Sequence, residues 1–264
     1  MDHVEAGKMW EENAANWTKL ARMGYDLYRD AVNTPAFFEM LPDVKGLAGL
    51  DIGCGGGYNT RLAARRGARM AAIDISPTFI RAAQAEEKER PLGIRYAAAS
   101  AVELPFEGGA FDFAMATMSI MDVPDHEQAV REAYRVVSPG GFFQFSISHP
   151  CFVTPRWKWV RDGEGNKAAV ECGDYFECRQ DFVTQWIFGA APQEAKAGMR
   201  KFRTPEFFRT LSSWMNIVVD AGFAIERMGE PCADEETARR QPYVADTRIV
   251  AYFLHVRCRK PRRD

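Results

Sequence analysis

From about Leu47 to Ser148, short apolar runs alternate with amphipathic stretches, a pattern that predicts a parallel sheet covered by helices. The runs at Leu47 to Ile52, Arg69 to Asp74, Ile94 to Ala98, Phe111 to Met118 and Phe142 to Ser148 are expected as strands one to five. Helices with readable ends fall between them. Tyr58 to Arg66 is closed by Gly67, Ser76 to Arg90 is opened by Ser76-Pro77, and Pro124 to Val137 is closed by a Ser138-Pro139-Gly140-Gly141 turn. Such a βαβ series is right-handed by default. Ahead of it, Trp10, Trp17, Leu20 and Leu27 recur at helical intervals among charges, which predicts an amphipathic helix or helix pair over residues 5–30. Thr34 and Pro35 then read as the cap and first turn of a short helix stopped by Pro42.

The rhythm breaks between His149 and Thr204, where Trp157, Trp159, Tyr175, Phe176, Trp186 and Phe188 sit among glycines, prolines and charges. An aromatic insertion of this length is read as a functional cap. Beyond it the pattern predicts a helix from Pro205 to Ala221 ended by Gly222, a strand from Phe223 to Met228 and a last alternating strand from Val250 to Cys258. The chain is therefore read as one domain over residues 1–264. Residues 1–45 form a helical lid, 46–148 the binding core, 149–204 a substrate-side insertion and 205–264 a closing helix and strands.

Composition narrows the function. The chain has 264 residues, 47% hydrophobic and 27% charged, which is the profile of a globular protein. Lys+Arg 34 against Asp+Glu 36 gives a formal net charge of -2, so no global positive field exists to hold a phosphate backbone and nucleic acid is not expected as a partner. The basic tail Arg257-Cys258-Arg259-Lys260-Pro261-Arg262-Arg263 is short and reads as a solvated end. No apolar run approaches the roughly 18 to 20 residues of a membrane helix, and the first residues lack a signal-peptide pattern. Cys54, Cys151, Cys172, Cys178, Cys232 and Cys258 form no CxxC pair and no zinc spacing with the four histidines. A cytoplasmic protein with reduced thiols and no metal is expected.

The chemistry concentrates in Leu50-Asp51-Ile52-Gly53-Cys54-Gly55-Gly56-Gly57, where the first strand should turn into the first helix. Glycines there let a ligand approach the backbone, and free amides at the helix start suit a polar or anionic group. Asp74 ends the second strand roughly 20 residues later, where a carboxylate accepts two ribose hydroxyls. A dinucleotide fingerprint wants a small residue at the sixth position counted from Gly53, but Tyr58 stands there. Asp51 would also repel a pyrophosphate while attracting an ammonium. A nucleoside joined to an amino acid, S-adenosylmethionine, satisfies both requirements.

The stretch resembles motif I of the class I S-adenosylmethionine-dependent methyltransferases, D-x-G-x-G-x-G, matched by Asp51, Gly53, Gly55 and Gly57. Ile73-Asp74-Ile75-Ser76, Glu103-Leu104-Pro105-Phe106 with Phe111-Asp112, and Arg135-Val136-Val137-Ser138-Pro139-Gly140-Gly141 resemble later segments of the same family, so the likeness covers about residues 46 to 148. Ser148-His149-Pro150-Cys151-Phe152, Arg209-Thr210-Leu211-Ser212 and Ala221-Gly222-Phe223 are similar to a bacterial small-molecule subgroup with the type 11 methyltransferase domain. The resemblance implies an α/β Rossmann-like three-layer sandwich with seven mostly parallel strands, the last antiparallel. It also implies that Gly53, Cys54, Gly55 and Gly57 line the methionine part, that Asp74 holds the ribose and that Ile75 lies on the adenine face. Ser100 stands where the family commonly has an Asp for the adenine amine; Ala101 supplies an amide, and Met118 supplies backbone near the sulfonium. Trp17 and Tyr25 are expected to pack on the cofactor from the lid, with Arg29 reaching its carboxylate.

Methyl transfer from a sulfonium is an in-line displacement that needs an acceptor atom held about 3 Å from the methyl group in a dry site. His149, at the end of strand five beside the crevice, is the candidate base, ahead of Asp122; its other reading is a turn-fixing hydrogen bond. His126 and His255 read as structural and His3 as disordered. Cys151 after Pro150 resembles a cytosine-methylating nucleophile but lies after the wrong strand. Ala116-Thr117-Met118-Ser119 also replaces the Asn- or Asp-Pro-Pro-Tyr stretch of enzymes that methylate base amines or glutamine. The expected activity is S-adenosylmethionine-dependent methylation of a small molecule, aromatic or apolar given Trp157, Trp159 and Trp186. A silent S-adenosylmethionine-binding protein and a nucleotide-dependent oxidoreductase are the competing readings.

Overall fold

The computed structural model describes residues 1–178 and 182–262, so Arg263 of the basic tail lies outside them. Helix α1 (His3–Arg22) starts with a capping box, in which the Asp2 carboxylate accepts from Val4 N and Glu5 N while Glu5 accepts back from Asp2 N. His3, expected to be disordered, is thus the first residue of a capped helix. The expected second half of this amphipathic stretch is different: residues 29–33 form a π turn that runs straight into α2 (Thr34–Met40). Thr34 does not cap that helix, because its backbone is already helical; its hydroxyl donates to Asn59 Oδ1 at 3.0 Å.

The core series follows as β1 (Ala48–Ile52), α3 (Tyr58–Arg65), β2 (Arg69–Asp74), α4 (Pro77–Glu89), β3 (Arg95–Ala98), β4 (Phe111–Thr117), α5 (His126–Val136) and β5 (Val137–Ser148). The Ser138 to Gly141 segment, expected as a turn, is the irregular start of β5. Gly140 takes a left-handed φ of 83° and its N–H donates to Lys260 O at 2.8 Å, so the end of the chain holds this stretch extended. The insertion folds as a hairpin of β6 (Arg156–Arg161) and β7 (Lys167–Gly173), then β8 (Phe182–Trp186), α6 (Gln193–Lys196) and β9 (Phe202–Glu206). Pro205 therefore lies in a strand opposite Val183. Helix α7 (Leu211–Asp220) begins only after Thr210, whose hydroxyl accepts from Ser213 N. The chain closes with β10 (Ala224–Gly229), α8 (Glu235–Arg240), a 3-10 turn (Pro242–Arg248) and β11 (Phe253–Arg259).

One seven-stranded sheet runs in the order β10-β11-β5-β4-β1-β2-β3. β11 is antiparallel to both its neighbours, and the pairs β4–β5, β1–β4, β1–β2 and β2–β3 are parallel. Alternate residues feed two cores. Leu50, Ile73, Phe143 and Phe145 pack with α5 and α7 on one face; Met70, Phe113, Met115 and Phe142 pack with α2, α3 and α4 on the other. This is a three-layer α/β sandwich. The order reverses between β1 and β4, and a crevice opens at such a switch point outside the strand ends.

Candidate active site

That crevice widens into a cavity of about 1260 Å³, floored by the ends of β1, β2 and β4 and roofed by α1 and the insertion. Gly53 and Cys54 donate their N–H groups to Ile73 O, which pins the loop to β2. Gly53, at φ 75°, is required twice over, since a Cβ there would sit 2.7 Å from Ser119 Oγ. Gly55, by contrast, has nothing within 4 Å of its Cβ position, so its backbone is open to a ligand. Asp74 is held facing that opening: Oδ2 accepts from Gly55 N at 2.8 Å and Oδ1 from Ser76 N at 2.9 Å. Burial raises its carboxyl to about 6, with those two N–H groups opposing the shift.

Gly53, Cys54, Gly55, Asp74, Ile75, Ser100, Ala101, Met118, Trp17, Tyr25 and Arg29 all line the cavity. Asp51 and Gly57 do not. Gly57 starts α3 at φ 86° under Tyr96, whose hydroxyl lies 2.6 Å from where a Cβ would be. Asp51 is fully buried; its Oδ2 accepts from Thr60 Oγ1 at 2.6 Å while Oδ1 has no partner among the described residues. Burial pushes its carboxyl up to about 7. Arg29 is already bound to Asp30 at 2.8 Å and Asp26 at 3.5 Å, and stacks over Tyr58. Trp17 meets Trp186, Phe188 and Phe202 edge-on or tilted, so the roof and the insertion share one aromatic cluster.

His149 is placed outside the cavity wall. Its ring is 2% exposed, with Nε2 at 2.7 Å from Glu230 Oε1 and Nδ1 accepting from Cys151 N at 3.2 Å. Nδ1 is spent on the turn and Nε2 on Glu230, so the geometry gives this ring no access to an acceptor. His126 stacks on Trp214 and bonds Arg209, and burial lowers it to about 4; His255 bonds Asn33 and is lowered likewise. Sequence reasoning passed over Thr18 and Glu206. Thr18 sits one position after Trp17 on α1, its hydroxyl buried without a partner beside Gly56. Glu206 closes β9, whose last two residues were expected to open a helix.

The residues fit a nucleoside carrying an amino acid. A carboxylate faces the open glycine, apolar Ile75 and Ala101 flank it, and two buried polar atoms, Thr18 Oγ1 and Asp51 Oδ1, lack partners around the loop. Comparison with known proteins agrees. Residues 50–145 match the methyltransferase domain family. A segment of 98 residues is 38% identical to a ubiquinone biosynthesis O-methyltransferase of Methylobacterium sp. (strain 4-46), covering 37% of this chain and 39% of that protein. The chain is also similar to a crystal structure of an S-adenosylmethionine dependent methyltransferase from Mesorhizobium loti, with TM-score 0.68, 29% identity and coverage of 85% of this chain and 96% of that one. A putative methyltransferase structure from Listeria monocytogenes shares the fold at TM-score 0.69 and 22% identity, over 86% and 96% of the two chains.

Fold, loop and matched segment define a class I S-adenosylmethionine-dependent methyltransferase domain, and S-adenosylmethionine is the cofactor of that class. Over residues 50–145 the chain is similar to these methyltransferases, and its alignments span only 35% to 48% of the curated relatives' lengths.

Proposed function

We propose that the chain transfers a methyl group from S-adenosylmethionine to a small-molecule acceptor in the cytoplasm. The observation that carries the reading is the Asp74–Gly55 clasp opening into a cavity large enough for a cofactor and an acceptor together. In this reading Asp74 takes the ribose hydroxyls, Ile75 and Ala101 the adenine, Ser100 its exocyclic amine and Thr18 the amino-acid end, with Asp51 acting on that end only from behind the glycine loop. The bound cofactor supplies a methyl group activated by its sulfonium. The chain's own part is to orient and to exclude water, and Trp17 with Trp186 and Phe188 closes the roof for that purpose.

The acceptor chamber lies toward the insertion, where Trp157, Trp159 and Tyr252 face the cavity, which supports a compact acceptor with an apolar or aromatic body. Its size supports no nucleic-acid groove. Six free thiols suit a reducing compartment, and among the described residues no helix is long and apolar enough to cross a membrane. The test is a thermal-shift titration with S-adenosylmethionine, S-adenosylhomocysteine and NAD. The first two should raise the midpoint by mass action and lose that effect in Asp74→Ala. Equal stabilisation by NAD would overturn the reading.

A further inference from the structure

The far end of the cavity holds two carboxylates that the cofactor reading leaves without a task. Asp122 ends a 3-10 turn (Ile120–Asp122) directly after β4, and Glu206 ends β9, which packs against that turn. Both line the cavity. Their surroundings differ. Trp186 Nε1 donates to Thr204 Oγ1 at 3.0 Å, Thr204 and Thr184 share a bond of 2.6 Å, and Thr184 donates to Glu206 Oε1 at 2.6 Å. Because the Thr184 hydrogen is spent on Glu206, Thr204 donates to Thr184, so a whole chain of donors runs toward Glu206. Among the described residues no donor reaches the Asp122 carboxylate, which is partly buried and lines the cavity.

We propose that Asp122 and Glu206 form the seat for a cationic amine on the methyl acceptor, with Asp122 as the group that meets the amine and Glu206 as its positioning partner. The inference rests on the methyltransferase reading and deepens it by naming the acceptor class. The walls favour the same chemistry, since Phe207, Phe208 and Trp214 line the cavity alongside the pair and ring faces attract cations. A neutral alcohol would leave one carboxylate uncompensated in a poorly hydrated chamber.

The charges facing Asp122 are few. Burial and the Glu206 carboxylate both push Asp122 well above the ordinary carboxylate range, and burial raises Glu206. Arg209 is turned to His126, Asp125 caps α5 through Gln128 N, Glu127 faces Arg131 and Glu132 binds Arg135. Arg203 of β9 pairs with Glu12, and residues 142–148 of β5 carry no charge. Of the two, Asp122 is the group that favours its proton more, since it has no donor among the described residues while Thr184 donates to Glu206 and favours its charged form. An entering ammonium displaces that proton. Asp122, then ionised, takes one N–H proton from the ammonium and frees the nitrogen lone pair for methylation; one proton moves from nitrogen to oxygen and nothing is oxidised or reduced.

Calorimetric titration of benzylamine, phenethylamine and benzyl alcohol, on protein with and without S-adenosylhomocysteine at pH 6, 7 and 8, tests this. The amines should bind more tightly as the pH rises and release a proton on binding, while benzyl alcohol binds at least tenfold more weakly at pH 8. Asp122→Asn and Glu206→Gln should each lower amine affinity at least tenfold and flatten its pH dependence. Unchanged affinity for S-adenosylhomocysteine would show that these variants are folded. Equal binding of alcohol and amine, an affinity indifferent to pH, wild-type affinity in Asp122→Asn, or no amine binding in either arm would each overturn the proposal. Failure of S-adenosylhomocysteine itself to bind sinks the cofactor reading instead, and the titration of the empty protein still decides the amine seat.

Discussion

At the residue scale, the two aspartates at the ends of β1 and β2 beside the glycine loop make the protein's stability sensitive to pH. Asp51 is raised to about 7 and Asp74 to about 6, against an unfolded value of about 3.9. The folded state then binds more protons than the unfolded state between about pH 4 and pH 7, so these groups stabilise at low pH and that stability is lost as the pH rises through the window. Asp51→Asn should flatten the fall by an amount on the order of a few kcal/mol, read from urea unfolding at pH 5.5 and pH 8. Identical slopes in wild type and variant would refute the assignment. The glycine loop and Asp74 were legible from spacing alone, because each is fixed by local backbone needs. His149 was not, since a strand-end position says where a residue begins and not which way its ring turns; Glu230, 81 residues away, decided that.

At the element scale, the roof is fastened by side chains that no periodicity reveals. Glu11 of α1 accepts from Ser76 Oγ, Thr78 Oγ1 and Thr78 N at the start of α4, and Asn13 exchanges two bonds with the backbone of Arg203 in β9. Glu11→Ala should strip the first clasp and leave Ser76 buried without that partner, which costs about 1–3 kcal/mol. We expect a lower unfolding midpoint and about tenfold weaker binding of S-adenosylhomocysteine by calorimetry, with the far-ultraviolet circular dichroism of the sheet retained. Full affinity in this variant would mean that α1 does not shape the site. Strands β1, β2, β4 and β5 were readable within a few residues because both faces are largely buried and their runs are continuous, whereas the edge strand β3, buried only at Tyr96, was readable from its place in the series. β9 was missed because it straddles the end of the expected insertion and an expected helix whose start Pro205 imitates, and only pairing with β8 reveals its extended state.

At the scale of the whole molecule, stability is unevenly spread. Strands β1, β4 and β5 are almost wholly buried, whereas the β6–β7 hairpin is mostly exposed and is not part of the main sheet. It is tied down through Lys167, which pairs with Asp246 and lies over the Trp159 ring, while Tyr28 and Tyr252 donate to the same carboxylate. Trypsin should therefore cut first within residues 156–173, and the remainder should stay folded. Lys167→Ala should speed that first cut several-fold, as followed by mass spectrometry of the fragments; a first cut within residues 48–148 would contradict this ordering. The parallel sheet was foreseeable from the sequence, but this hairpin was not, because its residues alternate without a buried face.

Helix α1 touches α4 at one end of the chamber and β9 at the other. The same bar thus bridges the nucleoside compartment and the acidic seat, and lifting it must break both fastenings together. Whatever occupies either compartment is therefore covered by one and the same helix.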